Sequence, residues 1–381
     1  MKKLAILALH LGFGGVESAV TSLCNMLCDS YDITVYVTYR LSDTPAFPMD
    51  SRVKICYLTG LKPNKDEFKS ALKKGALLRA AREGFKSVRV LRLRKSTMIA
   101  AIKASDSDII ISTRILFNEL LGRYAKPGTL KIAQEHRHHR DDEAYIKRLK
   151  ASLKNIDIFM PVSAYLTEFY AKRFPNKCVY IPHTLGELPE NISPLDGRGI
   201  ITVGRLECEK GYSDLLEVFA LVHKREPDIK LHITGDGSQR DMLEEKAARL
   251  EINGSVTFHG SQKKEYIAKL NDSCFCYVMT SLEESFGLVL IEAMSHGLPC
   301  VTFDSAMGAR EIIEHEKTGF LVENRSFEDM AEKILLLYRD ENFRKSMGRH
   351  ARQAADFYSN ENIREMWNEL PRDAARKNDR S

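Results

Sequence analysis

The chain has 381 residues, of which 44% are hydrophobic and 29% are charged, and its formal net charge is +5. This composition is that of a soluble globular protein, and at roughly 100 to 200 residues per domain the length predicts two domains. No run of 18 apolar residues occurs, which excludes a predicted membrane-spanning helix.

The first half of the sequence alternates between apolar strand patterns and helical patterns. We interpret the start, MKKLAILALHLGFGG, as a buried strand at 3–9 followed by a glycine turn, not as a signal peptide. A helix near 16–27 follows, and another helix is predicted near 164–172. The later strands are predicted at ITVYVTY, VKICYL, DIIIST, LKIAQEH and DIFMPVS. Such alternation predicts a parallel sheet with right-handed crossovers.

A proline- and glycine-rich segment, FPNKCVYIPHTLGELPENISPLDGRG, is the best candidate for a linker. We therefore expect domains at 1–190 and 191–355 and a C-terminal helical segment at 356–381. Strands of the second domain are predicted at 199–203, 229–234, 255–259, 274–279 and 299–303, and tail helices near 326–339, 341–357 and 360–370. Two doubly wound domains bind ligands at the carboxyl ends of their strands, so the chemistry is expected at those edges.

The eight cysteines lack the C-x-x-C spacing of zinc or redox sites. We expect them to be reduced, buried thiols in a cytosolic protein.

Charge is distributed unevenly along the chain. Residues 1–185 carry 31 Lys and Arg against 17 Asp and Glu, while the remainder carries 26 against 35. The basic excess is greatest between Lys62 and Lys95, where FKSALKKGALLRAAREGF places Phe68, Leu72, Ala76 and Leu78 at helical spacing. A basic amphipathic helix suits an anionic membrane surface, although a solvated helix face remains open. Nucleic acid is not an expected partner, because no recognition module is visible.

The glycine turn after the first strand is a candidate anion site. Gly14 and Gly15 allow a ligand to approach the backbone closely, and the start of the next helix favours negative charge. The turn is a poor dinucleotide fingerprint, because a third glycine is missing and the second strand ends without an acid. Arg40, at that end, could suit a 2′-phosphate, so an NAD(P)-dependent oxidoreductase stays open, as does a purely structural turn.

Two cations follow the first strand of the second domain, in VGRLECEKGYSDLLEVF. Arg205 and Lys210 bracket a short loop before a helix, where they could neutralise a diphosphate. A surface loop with two unrelated charges is the alternative.

Two carboxylates flank an apolar segment in EESFGLVLIEAMSHGLPCV. With a helix from Gly287 through His296, Glu284 lies in the loop and Glu292 lies inside the helix. One acid can then contact a sugar and the other a ribose, while the free amides of the helix start hold phosphate. A general acid and base pair fits this placement poorly, and two unrelated glutamates remain possible. The amides concerned are those of Ser285, Phe286, Gly287, Leu288 and Val289.

These elements together resemble glycosyltransferase family 4. The matching segments are the Gly14-Gly15 turn, GRLECEKG, ITGDGSQRDML, VTFHG, the Glu284-x7-Glu292 segment and GAREIIEHEKTGFLVEN. They cover nearly all of the second domain and the start of the first. The resemblance implies the α/β GT-B fold: two facing Rossmann-like domains with parallel sheets and a C-terminal helix crossing back to the first domain, with Trp367 as a packing anchor.

The resemblance also implies residue roles. Arg205 and Lys210 would hold the donor diphosphate in place of a metal, and Glu292 would bind the ribose. Glu284 would contact the donor sugar, with the backbone of residues 285–288 beside it, and Gly14 and Gly15 would approach the phosphates. His136, in AQEHRHHRDD, resembles the histidine that relatives present near the donor sugar; His138 and His139 compete for that role.

Two possible metal sites are weighed and set aside. The H-R-H-H loop lacks good ligand spacing. Asp106-Ser107-Asp108 forms a D-x-D, but it precedes a strand, at the edge opposite the expected site, and is interpreted as a solvated turn. No metal or other cofactor is expected.

The resemblance implies a retaining transfer of a hexose or N-acetylhexosamine from a nucleotide sugar, with UDP expected. A front-face route, in which the leaving phosphate helps to take the acceptor proton, needs no protein nucleophile. The basic first domain favours a lipid-linked glycan acceptor at an anionic cytoplasmic leaflet, in surface polysaccharide assembly. A soluble acceptor and a non-catalytic membrane adaptor remain alternatives.

Overall fold

The structure, a computed structural model, describes residues 1–378, and the side chains of all of these except 65, 66 and 371–378. The chain divides into two compact units. The first comprises Met1–Val162 with Leu166–Thr184; the second starts at Leu185 and includes Ser163–Tyr165.

The first unit is a parallel sheet with helical connections. Among the described residues seven strands form this sheet, in the order β3-β2-β1-β4-β5-β6-β7. The elements are β1 Lys2–Ala8, α1 Gly15–Leu27, β2 Tyr31–Tyr39, β3 Lys54–Thr59, α2 Lys65–Lys73, α3 Leu77–Ala104, β4 Ile109–Ser112, α4 Ile115–Tyr124, β5 Leu130–Glu135, α5 Glu143–Ser152, β6 Ile158–Pro161, α6 Ala164–Ala171 and β7 Lys177–Cys178.

The N-terminal segment forms the central strand of this sheet. β1 pairs in parallel with β2 on one side and β4 on the other, and Leu4 to Ala8 are buried. The chain order reverses between β1 and β4, so the first unit has its switch point after β1. The predicted buried strand is therefore confirmed, and the glycine turn follows it directly.

The second unit repeats this architecture with a six-stranded parallel sheet, in the order β10-β9-β8-β11-β12-β13 within the described residues. Its elements are β8 Gly199–Val203, α7 Tyr212–Arg225, β9 Lys230–Thr234, α8 Arg240–Arg249, β10 Val256–Phe258, α9 Lys264–Asn271, β11 Cys274–Met279, α10 Leu288–Ser295, β12 Cys300–Phe303, α11 Met307–Ile312, β13 Gly319–Val322, α12 Phe327–Arg339, α13 Glu341–Ala355 and α14 Asn360–Asn378.

The central strands of the second sheet are runs of apolar residues, which explains why they are buried on both faces. Every residue of β11 is buried, as expected for a parallel strand that is covered on both faces. Its Phe275 and Val278 pack with Phe219 of α7 and Leu335 of α12 in one core cluster. The switch point of this sheet lies between β8 and β11.

The basic segment differs from its prediction. Two helices, α2 and α3, replace the single amphipathic helix, because Gly75 between them has a φ of +65°. Leu72 and Leu78 do not share one helix, and both are exposed. The predicted apolar face of Phe68, Leu72, Ala76 and Leu78 is therefore wrong.

The prediction of buried thiols is also partly wrong. All eight cysteines are free, but Cys56 and Cys208 are exposed and Cys178 is only partly buried. Buried thiols are found at Cys24, Cys28, Cys274, Cys276 and Cys300.

In the C-terminal segment α14 begins at Asn360, and its Trp367 is buried. The return of this helix to the first domain stays a prediction. Within residues 1–378, no helix combines the length and the apolar character needed to cross a membrane.

Candidate active site

Two loops meet at the switch point of the second unit. One joins β8 to α7 and carries Arg205 and Lys210; the other joins β11 to α10 and carries Glu284. The Thr280 hydroxyl donates a hydrogen bond to the Gly211 carbonyl (2.9 Å), and the Leu282 amide donates one to the Glu209 carbonyl (2.9 Å). These bonds hold the two loops in one fixed arrangement.

Lys210 and Glu284 form an ion pair across these loops. The Lys210 ammonium lies 2.6 Å from Oε2 of Glu284, and the two side chains are only 22% and 17% exposed. The pair joins residues 74 positions apart, so sequence spacing could not have predicted it. Because this cation and this carboxylate are partly shielded from water, each can interact strongly with a polar ligand at this edge.

Arg205 has a looser environment. Its guanidinium pairs with Glu209 at 2.8 Å, and its side chain is 66% exposed. Such an exposed pair contributes little to stability, about 0 to 1 kcal/mol. Arg205 can therefore leave Glu209 for an anion at low cost.

The helix α10 begins beside this pair. Gly287 precedes it with a φ of +103°, a conformation that favours glycine. The amides of Gly287, Leu288 and Val289 find no acceptor among the residues that the structure describes. The Gly308 amide fixes the preceding loop by donating to the Glu284 carbonyl (3.0 Å). The first turn thus offers donors and the positive end of a helix dipole to an anion.

Of the other residues predicted at this helix start, Ser285 lies in the loop and Phe286 packs edge-on against Tyr358, with ring centroids 5.9 Å apart. Phe286 is buried, so its side chain anchors the loop.

Glu292 lies in the second turn of α10. Its nearest ion-pair partner is Lys264 of α9, at 3.6 Å, and its side chain is 40% exposed. Partial burial raises the pKa of Glu292, and the Lys264 ammonium opposes that shift. The exposed part of the side chain can accept hydrogen bonds from a hydroxyl pair.

The glycine turn of the first unit stands at the start of α1. Gly14 is the residue before the helix and Gly15 is its first residue. A Cβ added to Gly15 would meet no described atom within 4 Å, so packing within the protein does not require glycine there. At Gly14, an added Cβ would overlap the Glu17 carboxylate.

His136 directly follows β5 at the same edge of the first unit. Burial, with smaller effects from His183 and Arg114, lowers the pKa of His136 well below its ordinary value. The neighbouring His139 is instead packed into an aromatic cluster, with its ring 4.0 Å from that of Phe169 and its side chain 1% exposed. His138 stacks on His139 at 4.4 Å.

The D-x-D motif lies at the opposite edge of the sheet. Asp108 accepts a hydrogen bond from the Lys3 amide (2.7 Å), and Asp106 pairs with the Lys3 ammonium. Both aspartates thus tie the starts of β1 and β4 together. In residues 1–378, no group of three or more His, Cys, Asp and Glu side chains is arranged to hold a metal ion.

Sequence reasoning missed several residues of these edges. Arg114 lies two residues after β4, so the rule that singled out Arg205 applied to it as well. His183 was overlooked because it lies in the segment interpreted as a linker. Glu209 comes four residues after Arg205, a spacing that could have indicated the pair, whereas Lys264 was missed because an ion pair between two helices leaves no spacing signal.

Residues 188–354 match the family model described as glycosyl transferases group 1. A relative from Haemophilus influenzae, an uncharacterized glycosyltransferase, is 34% identical over 193 residues, which are 49% of this chain and 52% of the relative. The chain therefore spans about half the length of that relative.

Two relatives align over nearly their whole length. The amylovoran biosynthesis glycosyltransferase AmsD of Erwinia amylovora is 25% identical, with 94% of this chain and 95% of the relative covered. A Campylobacter jejuni α-1,4-N-acetyl-D-galactosaminyltransferase, named for a diNAcBac-PP-undecaprenol-linked glycan, is 26% identical over 97% and 98% of the two chains.

Among solved structures, a Staphylococcus aureus TarM mutant in complex with fondaparinux, α-GlcNAc-glycerol and UDP has a TM-score of 0.77. The identity is 18%, and 97% of this chain and 99% of that chain are covered. At this identity the likeness establishes the fold.

Proposed function

We propose that this chain, which has the GT-B fold and matches the glycosyl transferases group 1 model at residues 188–354, is a glycosyltransferase that moves a sugar from UDP to a glycan acceptor. The sugar is a hexose or an N-acetylhexosamine. The transfer retains the anomeric configuration and uses no metal ion.

The observation that carries this proposal is the Lys210–Glu284 pair beside the start of α10. A bound diphosphate competes with Glu284 for the Lys210 ammonium, since both ligands are anionic. Glu284 is then released to accept hydrogen bonds from the hydroxyl groups of the donor sugar. The Lys210–Glu284 contact of the free enzyme is thereby replaced by two contacts with the substrate, one from Lys210 to the diphosphate and one from Glu284 to the sugar.

The same groups stabilise the leaving diphosphate. Negative charge develops on the departing phosphate in the transition state, and in this proposal Lys210, Arg205 and the α10 amides neutralise it. These fixed cations and dipoles would perform the task of a divalent ion. In the front-face route, the departing phosphate takes the acceptor proton, so no protein nucleophile is assigned.

The remaining residues bind and orient the donor. Glu292, accessible in the second turn of α10, accepts hydrogen bonds from the ribose. Gly15 allows close approach of the phosphates, and His136 orients the donor sugar, as the resemblance implies. The open space around Gly15 supports the first of these roles.

UDP is the proposed carrier because the structurally similar TarM complex contains it. The proposed acceptor is a lipid-linked glycan of surface polysaccharide assembly. The names of the C. jejuni and E. amylovora relatives support this class, since they refer to an undecaprenol-linked glycan and to amylovoran biosynthesis.

A surface of the first unit supports action at a membrane. On α3, positions 78, 81, 85 and 88 follow one another at three- and four-residue spacing and so share a face. Leu78 is 91% exposed and Phe85 80% exposed, while Ala80, Val90 and Met98 point the other way into the core. We call residues 78, 81, 85 and 88 the α3 apolar strip.

Cations border this strip along the whole helix. The exposed ones are Arg79, Arg82, Lys86, Arg89, Arg92 and Lys95. An outward face that combines exposed apolar side chains with basic ones fits the interface of an anionic bilayer. We propose a peripheral enzyme on the inner face of the cell membrane.

A transfer assay tests the proposed reaction. Purified enzyme is incubated with radiolabelled UDP-glucose, UDP-galactose, UDP-N-acetylglucosamine or UDP-N-acetylgalactosamine, and with an extract of lipid-linked glycans. Label should move to the lipid fraction from one of these donors, with the α-linkage retained. No transfer from any nucleotide sugar, or a β-linked product, would refute the proposal; transfer only to a water-soluble glycan would refute the lipid-linked acceptor.

A further inference from the structure

Two histidines of the first unit are stacked at its ligand-binding edge. The ring centroids of His136 and His183 lie 5.2 Å apart, and the ring planes differ by only 5°. His136 directly follows β5, whereas His183 comes from the segment after β7. The stack therefore joins a strand end to a distant part of the chain.

His136 also carries an unpaired polar atom. Its Nε2 is buried and has no hydrogen-bond partner among the described residues. A buried nitrogen without a partner costs free energy, so such atoms usually mark a place for a water or a ligand. The nitrogen that lacks a partner thus lies on the ring that stacks on His183.

We propose that His183 is a positioning residue that holds the His136 imidazole by ring stacking, so that Nε2 is kept in place for a hydroxyl of the donor sugar. His183 itself does not touch the substrate. This inference rests on the proposed function for the identity of the ligand. The His136 imidazole can rotate about its side-chain bonds, and parallel stacking against the His183 ring restricts that rotation.

The stack also bears on the charge of His136. Two cationic or potentially cationic groups influence it, Arg114 and His183, and both lower its pKa in addition to the larger effect of burial. Burial lowers the pKa of His183 to about 4, so both imidazoles are uncharged at neutral pH, each with a single N–H. A neutral imidazole can donate or accept a hydrogen bond, whereas a charged one can only donate.

The test compares His183→Ala with His183→Phe. Phenylalanine keeps a flat ring against His136, so kcat should stay within about threefold of wild type. Alanine removes the ring, and kcat should fall about 10- to 100-fold with a smaller change in KM for the UDP-sugar, since misplacement of a group by about 1 Å can cost that much. Thermal unfolding of both variants checks that they fold.

A double variant decides whether His183 acts through His136. If it does, His136→Ala with His183→Ala should be no slower than His136→Ala alone, because the second change has nothing left to misplace. Multiplicative losses would show an independent role for His183 and overturn the inference. Equal activity of His183→Ala and wild type would also overturn it.

A measurement without turnover separates this inference from the proposed function. The pKa of His136, followed by NMR in histidine-labelled protein, should rise in His183→Ala, because loss of the covering ring lets water reach the imidazole, and should stay low in His183→Phe. An inactive wild type would refute the proposed function, while an unchanged pKa and ring environment in His183→Ala would refute the stacking role alone.

Discussion

Individual charges at the β8–β11 edge are the groups on which the proposed chemistry depends. Lys210 pairs with Glu284 and is largely shielded, while Arg205 is exposed and pairs with Glu209. The sequence predicted Arg205, Lys210, Glu284 and Glu292 as candidates, because each follows a strand or a helix start. It did not predict that Lys210 and Glu284 form an ion pair with each other.

Replacing Lys210 should slow catalysis severely. Lys210→Ala removes a cation from the leaving diphosphate, so kcat/KM should fall about 10²- to 10³-fold, as for the loss of an oxyanion donor. Initial rates of UDP release provide the measurement. Lys224→Ala, which removes an exposed lysine at the end of α7, is the matched control and should leave the rate unchanged. A loss below threefold in Lys210→Ala would contradict the assigned role.

Binding of UDP should depend on pH through Glu292. Burial raises the pKa of this carboxyl, so it gains its proton at a higher pH than an ordinary glutamate and then accepts hydrogen bonds poorly. As the pH falls through that raised pKa, UDP should bind more weakly. Titration calorimetry across pH 4 to 8 measures this dependence.

Glu292→Gln provides the control for this pH series, because UDP phosphate also titrates. The variant should bind UDP more weakly than wild type at neutral pH. Its affinity should change with pH only through the titration of the UDP phosphate, whereas the affinity of wild type should also change through Glu292. If the UDP affinities of the two proteins change with pH in the same way, the assignment of Glu292 to ribose binding is wrong.

At the scale of elements, loop geometry places these charges. Gly211 links the Lys210 loop to α7 with a φ of +65°, and a Cβ there would overlap the Thr280 carbonyl of the neighbouring loop. The close approach of the two loops therefore depends on this glycine. Because the loops carry Lys210 and Glu284, their approach determines the geometry of the site.

Gly211→Ala should disturb both stability and the site. An incompatible φ costs more than the 0.4 to 1 kcal/mol that Gly→Ala gains at a compatible position, so the melting temperature should drop by several degrees. UDP affinity should fall as well. Gly254→Ala is the control, since a Cβ there meets nothing within 4 Å and should leave both quantities unchanged. Equal melting temperatures of the two variants would show that the loops tolerate a Cβ at 211.

The helix α3 gives the second prediction at this scale. Leu78→Glu with Phe85→Glu places two carboxylates in the α3 apolar strip, so binding to vesicles of phosphatidylglycerol should weaken at least about tenfold in sedimentation assays. Leu336→Glu, at an exposed leucine of α12, is the matched control and should bind as wild type does. Equal binding by the double variant and wild type would contradict the membrane surface.

Elements differ in how well the sequence predicts them. β8 and β11 were predicted at their observed bounds, because an apolar run between polar turns has few other interpretations. The break between α2 and α3 was missed, since helical spacing continues across Gly75 and only its positive φ ends the first helix. β7 has two residues and pairs with β6 at the edge of its sheet, too little for a sequence pattern.

Across the whole molecule, the distribution of charge agrees with the proposed roles of the two units, membrane and acceptor contact for the first and donor binding for the second. Residues 1–185 carry the basic excess and the α3 surface, while the acidic remainder contains the residues that match the group 1 family model. Each unit has a parallel sheet with one switch point, and Gly15, Lys210 and Glu284 lie in connections that follow the strands at those points. His136 follows the neighbouring β5, and Glu292 lies inside α10. The fold was predictable because alternating strands and helices permit few topologies.

Protein cations and amides, without a divalent ion, are proposed to hold the donor diphosphate. Titration calorimetry of UDP in the presence of EDTA, with wild type and the double variant Arg205→Ala, Lys210→Ala compared, is the direct test. Wild type should bind UDP in EDTA, and the double variant should bind at least about tenfold more weakly. Binding by wild type only after a divalent ion is added, or equal binding by the two proteins, would contradict this proposal.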